Sequence, residues 1–350
     1  MTSAESSTLK QEILEQPEVL RRLLEQERAT VEQIAAVIRE RQPAYVMMAA
    51  RGTSDNAARY GQYLFGAVNH LPVAPASPSL FTRYDQPPAL GNALVIGISQ
   101  SGQTPDILKV VRDARSQGAL TLSITNGAGS PLAEAADHVL QMNAGEEVSV
   151  GATKTYTASL MALGMLSAAL AGDDTRWDDL ARVADYTAEI TGAADAIVKA
   201  AERYRYMEAC VVLSRGYNRA TAFEIALKLK ELTYMLADPY STADFQHGPV
   251  AMVERGFPVI AAVPEGAVAA DIIDLLSQLH ERGAELVVAS ALDEALALAH
   301  TPISVPQGMP EWVSPMALVV PGQLMAYGLA IAKGLDPDHP RQLSKVTITH

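Results

Sequence analysis

Two stretches of this chain follow the same local pattern, and that recurrence limits the fold more than any other feature. Ala44-Tyr45-Val46-Met47-Met48-Ala49 is an apolar run of strand length, broken by Arg51-Gly52-Thr53-Ser54 and followed by a helical pattern. Val211-Val212-Leu213 leads through Ser214-Arg215-Gly216 into a helix in the same way, and Arg215 lies 164 positions after Arg51. Ala93-Leu94-Val95-Ile96-Gly97-Ile98 and Leu120-Thr121-Leu122-Ser123-Ile124 are matched at about that offset by Val259–Val263 and Leu286–Ala289. Short continuous apolar runs between turn residues are strands buried on both faces. Helices alternating with them imply parallel sheets covered on both sides. The repeat predicts two tandem copies of one α/β unit.

The remaining segments fit around those copies. Residues 1–42 form an N-terminal helical segment, with apolar spacing carried by Ile13, Leu20, Leu24, Val31, Ile34 and Ile38, and with Pro17 where one helix stops and another starts. A first α/β domain is expected over 43–172, a helical connection over 173–205 and a second domain over 206–334. The tail over 335–350 carries Asp336, Pro337, Asp338 and Pro340 without a helical period, and is expected to lie extended over the active site. A chain of 350 residues suits two domains of roughly 150 residues each.

Composition excludes some functions. The formal charge of −13 argues against nucleic acid as a partner, although backbone amides and hydroxyls can still hold a small phosphate. Cys210 is the single cysteine and lies in an apolar run, so it reads as a structural thiol, with no disulfide and no thiolate metal cluster. Thr2, Ser3 and Glu5 do not open a signal peptide, and the apolar stretches are interrupted every few residues. A cytoplasmic protein without a membrane span, a metal or a redox cofactor is the expectation.

Ligands of parallel sheets bind beyond the carboxyl ends of the strands. Two hydroxyl-rich loops fall there, Gly52-Thr53-Ser54 and Ser99-Gln100-Ser101-Gly102-Gln103-Thr104. They read as a phosphate cradle, or alternatively Ser54 and Thr104 are simple helix caps. On a helix over 221–235, Glu224, Lys228 and Glu231 fall on one narrow face, which could equally be a solvated face of paired charges. His247, in the turn Phe245-Gln246-His247-Gly248-Pro249, is either a surface residue or the third member of an acid–base set.

Six ordered motifs resemble the isomerase half of the glutamine–fructose-6-phosphate aminotransferase family. They are Gln11-Glu12-Ile13 with Glu15-Gln16-Pro17, Arg51-Gly52-Thr53-Ser54, Ser99 to Thr104, Ala144-Gly145-Glu146-Glu147 through Thr153-Lys154, Glu224 to Leu232 with His247-Gly248-Pro249, and Gln342-Leu343-Ser344-Lys345-Val346-Thr347. The resemblance implies two tandem SIS (sugar isomerase) domains, each a flavodoxin-like parallel sheet flanked by helices. It implies that Thr53, Ser54, Ser99, Gln100, Ser101 and Thr104 bind a sugar phosphate, with Val150 and Lys228 lining the sugar. It further implies that Glu231 moves a proton between C1 and C2, that His247 opens the ring from a neighbouring subunit of a homodimer, and that Lys345 forms an imine.

The sequence departs from the family in three places. No glutaminase domain with its N-terminal cysteine is present in this sequence, Val-Ala-Ser-Thr-Lys reads Val150-Gly151-Ala152-Thr153-Lys154, and the serine after the tail lysine is missing. The chain also resembles stand-alone SIS deaminases and deglycases. The expected activity is release of ammonia from an amino-sugar phosphate, glucosamine-6-phosphate first. A fructosamine-phosphate deglycase or a pure sugar-phosphate isomerase is the alternative. A sugar-phosphate sensor is the non-enzymatic one, but such sensors carry a DNA-binding domain ahead of the SIS unit, and the segment before the first strand is short and acidic.

Overall fold

The computed structural model describes residues 7–345. Thr2, Ser3 and Glu5 of the N-terminal reading, and Val346 and Thr347 of the tail motif, lie outside them.

In chain order the elements begin with α1 (Thr8–Leu14), α2 (Gln16–Arg41), β1 (Tyr45–Ala49), α3 (Gly52–Asn69), β2 (Val73–Pro75), α4 (Ser79–Thr82) and β3 (Ala93–Ser99). Then come α5 (Pro105–Ser116), β4 (Leu120–Thr125), α6 (Pro131–Ala135), β5 (His138–Gln141), α7 (Lys154–Ala171), α8 (Asp174–Gly192) and α9 (Ala194–Ala201). The second repeat follows as β6 (Ala209–Ser214), α10 (Arg219–Thr233), β7 (Leu236–Ser241), α11 (Thr242–Gln246), β8 (Pro258–Val263) and α12 (Ala269–Glu281). It closes with β9 (Glu285–Ser290), α13 (Asp293–Leu296), β10 (Thr301–Ser304) and α14 (Pro315–Ala332).

These elements gather into two compact units. Of the described residues, the N-terminal unit holds 18–147, 154–182 and 343–345, and the C-terminal unit holds 7–17, 148–153 and 183–342. Each contains one five-stranded parallel sheet, in the orders β2-β1-β3-β4-β5 and β7-β6-β8-β9-β10. The two orders are the same once β6 is matched to β1, so the repeat read in the sequence is a repeat of topology. It is the flavodoxin-like order, whose chain reverses direction of travel between the first and third strands.

The inner strands are almost wholly buried because helices cover both faces. β3, β4 and β8 have no exposed residue. The edge strands β2, β7 and β10 had escaped the pattern. Each carries a proline (Pro75, Pro239, Pro302) and at least one exposed position, since an edge needs pairing on one side only.

α7 and α14 are buried on nearly every side and mostly apolar, as expected of helices with almost no solvent face. α14 is long and apolar enough to cross a membrane by length and composition, yet 89% of it is buried inside the protein. It packs along α9 and α10. Gly322 lies directly under Ile225 of α10, and a methyl group there would come within 2.5 Å of Ile225 Cδ1. That close approach turns the Ile225 side of α10 inward and sets the direction of its charged face.

Ser7 to Leu9, Asp338 and Arg341 are held together within the C-terminal unit. Asp338 accepts the Ser7 hydroxyl at 2.9 Å and the Thr8 and Leu9 N–H groups at 3.2 and 2.8 Å, so it caps α1. Arg341 stacks on Tyr234 at 4.0 Å and donates its N–H to the phenol oxygen.

Candidate functional site

In the N-terminal unit, β1 and β3 run side by side in parallel, so the loops after them leave the same sheet edge. Arg51 is extended and Gly52, at φ +52°, turns the chain into α3. That conformation favours glycine. The Arg51 guanidinium reaches across to the buried carboxylate of Asp106 in the first turn of α5, at 2.6–2.7 Å, and ties the two loops together.

Within the second loop the Ser99 hydroxyl accepts the Gly102 N–H at 3.1 Å and lies 3.4 Å from the Thr104 hydroxyl. Ser101 Oγ accepts the Gln103 N–H at 3.3 Å, and the Gln100 carbonyl accepts the Asn126 N–H at 3.1 Å. Thr104 occupies the cap position of α5 but its side chain makes no capping bond. Ser54 lies inside the first turn of α3, where Arg51 holds the cap position. Neither hydroxyl is spent as a cap. The result is a loop pair lined by hydroxyls and a guanidinium at the start of two helices, which is the composition of an anion cradle.

The same unit holds Lys345. Its ammonium donates to Glu147 at 2.7 Å, and the Glu147 side chain has no solvent exposure. Glu147 also accepts the N–H and hydroxyl of Thr155, at 3.1 and 2.7 Å. A carboxylate so deeply buried is tolerated only when it is paired and hydrogen-bonded, and these contacts supply both.

In the C-terminal unit, α10 carries Glu224, Lys228 and Glu231 on one face. The Lys228 ammonium lies 2.5 Å from Glu231 and 3.4 Å from Glu224. Lys228 and Glu224 have zero side-chain exposure and Glu231 has 24%. The reading of this face as solvated charge is therefore excluded. One ammonium offsets two carboxylates, and only Glu231 keeps an opening through which it can meet a substrate. The helix runs from 219 to 233, not 221 to 235, because Tyr234 adopts φ +61° and ends it.

The backbone of Val150-Gly151 passes over this pair. A β-carbon on Gly151 would stand 3.7 Å from Glu231 Oε2 and 3.8 Å from Lys228 Nζ. Glu12 anchors the segment by accepting the N–H groups of Val148 and Ser149, at 2.5 and 3.2 Å. Val150 itself is half-buried.

His247 follows α11, exposed, ahead of Gly248 at φ +132°. Its ring makes no hydrogen bond or ion pair among the described residues, so within one chain the structure joins Lys228 to Glu231 but not His247 to either. Cys210 is buried in β6 and burial pushes its thiol up to about 12, which fits a structural role and removes it as a nucleophile. Among the described residues no group of three His, Cys, Asp or Glu side chains is placed to hold a metal.

Sequence reasoning missed Asp106 as the partner of Arg51, Glu147 as the partner of Lys345, and the contact of Gly151 with the Lys228–Glu231 pair. No local pattern marks them. The 164-residue repeat offered one signal, since an acidic residue in the first turn of α5 has a counterpart in α12.

The SIS domain model matches residues 41–169 and 208–333, one match on each sheet. The chain belongs to the SIS domain family. Glutamine–fructose-6-phosphate aminotransferase [isomerizing] of Methanothermobacter thermautotrophicus is 35% identical over 339 residues, covering 95% of this chain and 56% of that protein. The chain thus spans little more than half the length of that relative. The C-terminal domain of glucosamine-fructose-6-phosphate aminotransferase from Francisella tularensis superposes with a TM-score of 0.88 at 25% identity, covering 97% of this chain and all of that one. A Silicibacter pomeroyi protein assigned as a phosphosugar isomerase superposes with a TM-score of 0.85 at 34% identity, covering 95% of this chain and all of that one. Two tandem SIS domains, each a flavodoxin-like sheet between helices, are the architecture of this chain.

Proposed function

We propose that this SIS protein is an aldose–ketose isomerase and deaminase of an amino-sugar phosphate, converting glucosamine-6-phosphate and water to fructose-6-phosphate and ammonia. The observation that carries the reading is the Lys228–Glu231 pair, a partly open carboxylate beside a fully buried ammonium. In the opened sugar, Glu231 takes the proton from C2 and returns it to C1, which a carboxylate can do with little movement. The product is a ketose imine at C2. Water adds there and ammonia leaves, so no oxidant or second substrate is needed. Lys228 fixes the Glu231 carboxylate and offsets its charge.

The loops at Thr53-Ser54 and Ser99 to Thr104 would hold the phosphate. Lys345 would exchange with the C2 nitrogen as a protein imine, with Glu147 positioning its amine for the attack. His247 would open the ring of a substrate bound to a neighbouring copy, which its exposed position allows, so the working form would be a homodimer. The cytoplasm, where sugar phosphates are made and consumed, is its expected place. No nucleic acid or membrane partner enters this reading.

A second reading, a deglycase of a phosphorylated fructosamine, is favoured by Gly151. The missing side chain beside Glu231 and Lys228 leaves room for a substituent on the substrate nitrogen. One assay separates the possibilities. Purified protein incubated with glucosamine-6-phosphate should yield fructose-6-phosphate and ammonia together, and a glycated amine phosphate should yield free amine only if the second reading holds. Interconversion of unsubstituted aldose and ketose phosphates, with no ammonia from any 2-amino sugar phosphate, would overturn the deaminase.

A further inference from the structure

The two sheets share a topology, so the cradle after β1 and β3 has a counterpart after β6 and β8, which also lie side by side in parallel. The likeness extends to single residues. Arg215 is extended and Gly216 adopts φ +62°, as Arg51 and Gly52 do. Arg215 bridges to Asp271 in the first turn of α12 at 2.9 Å, as Arg51 bridges to Asp106 in α5.

The contents differ. Where the N-terminal loop presents Ser99, Ser101 and Thr104, the loop Pro264-Glu265-Gly266-Ala267-Val268 has no hydroxyl. A carboxylate lies there instead. Glu311, from the segment between β10 and α14, accepts the Ala267 N–H at 2.7 Å. A methyl group on Gly266 would collide with the same oxygen, and one on Gly216 would stand 3.1 Å from the other. Both loops therefore close on one carboxylate. Glu265 fastens the segment that delivers it, accepting the N–H groups of Gly308 and Met309 at 2.7 and 3.2 Å.

We propose that the C-terminal unit retains the anion cradle of the repeat and that Glu311 is its built-in anion, so that each chain takes up a single phosphorylated ligand. The argument is one of charge and place. The Glu311 carboxylate satisfies the Ala267 N–H just ahead of α12 and lies against the Gly216 turn, as a phosphate would, and excludes a second anion by occupancy and by repulsion. Glu311 stands 164 positions after Glu147, the offset that separates the two arginines. The same position of the repeat is thus used twice, once toward the Lys345 ammonium and once as a plug.

The inference rests on the phosphate reading of the N-terminal cradle, and titration with inorganic phosphate separates the two. Wild-type protein should show one site per chain, the Ser101→Ala, Thr104→Ala double variant none, and the triple variant adding Glu311→Ala one site again, weaker and more sensitive to salt. Two sites in the wild type, or none in a folded triple variant, would overturn the plug. No site in the wild type would sink the phosphate reading alone, and Glu311→Ala in the wild-type background would still have to gain one. If Glu311→Ala does not fold, Glu311→Ser keeps a polar side chain at the position but is too short to fill the cradle. In the double-variant background, phosphate should then raise its Tm where it leaves the parent unchanged, and an unchanged Tm would overturn the proposal.

Discussion

The Lys345 ammonium meets, at 2.7 Å, a carboxylate on Glu147 that water does not reach. A charge-assisted hydrogen bond of this kind contributes roughly 1.5–3 kcal/mol. Glu147→Gln removes the charge and keeps the shape, so the tail lysine loses its anchor. Borohydride trapping of fructose-6-phosphate on Lys345, followed by peptide mass mapping, should fall by about tenfold or more, which is the same free energy read as a ratio. Unchanged trapping would show that Glu147 does not position the amine.

Replacing Ser101 and Thr104 together with alanine removes two hydroxyls that neither helix uses as a cap. KM for the sugar phosphate should rise by at least about tenfold while kcat changes little, because the phosphate is remote from the bond that reacts. An unchanged KM would remove these loops from the phosphate site.

Lys228 offsets two carboxylates, one of them Glu224 at zero exposure. Lys228→Met should destroy activity and cost about 3–5 kcal/mol of stability, since it leaves a buried charge without its cation. Adding Glu224→Gln should restore much of the stability and none of the activity. Additive losses in the double variant, read from denaturant unfolding, would contradict the pairing.

Cys210 has its thiol pushed up to about 12 by burial. Native protein should therefore resist aromatic disulfide reagents at neutral pH and react only on unfolding. The raised value also predicts a pH effect: the stability is whole below about pH 9, where the unfolded thiol is protonated too, and declines as pH climbs toward 12. Tyr204, also raised to about 12, titrates in the upper part of that window, so the comparison is with Cys210→Ala, which should lose less stability over the same range. Equal losses would point away from Cys210.

Glu231→Gln and His247→Ala proteins should each be nearly inactive. Mixed under conditions that exchange subunits, they should recover activity, because one of the two sites in a heterodimer joins an intact Glu231 to an intact His247. No recovery after verified exchange would place both residues in the site of one chain.

What the sequence disclosed follows from the range of the forces involved. Inner strands are legible because both faces must be apolar, and β3 and β8 are. The edge strands β2, β7 and β10 are not, because each needs a single neighbour and tolerates proline. The angular spacing of Glu224, Lys228 and Glu231 was legible from helix geometry, but the segment at Gly151 that lies beside Lys228 and Glu231 is far away along the chain. Glu147 could not be paired in advance, since Lys345 lies 198 residues away. His247 carries no local signal beyond its neighbours Gly248 and Pro249.

The capping of α1 by Asp338 has a consequence for synthesis on the ribosome. The cap and the helix it closes are separated by about 330 residues, so at roughly 5–20 residues per second the first helix emerges many seconds before the group that completes it. The C-terminal unit joins α1 to residues 183–342, whereas residues 18–147 and 154–182 are all available once about half of the chain has been made. The N-terminal sheet should thus be protected from protease in stalled nascent chains that end before β6, while α1 remains cleavable until translation passes Asp338.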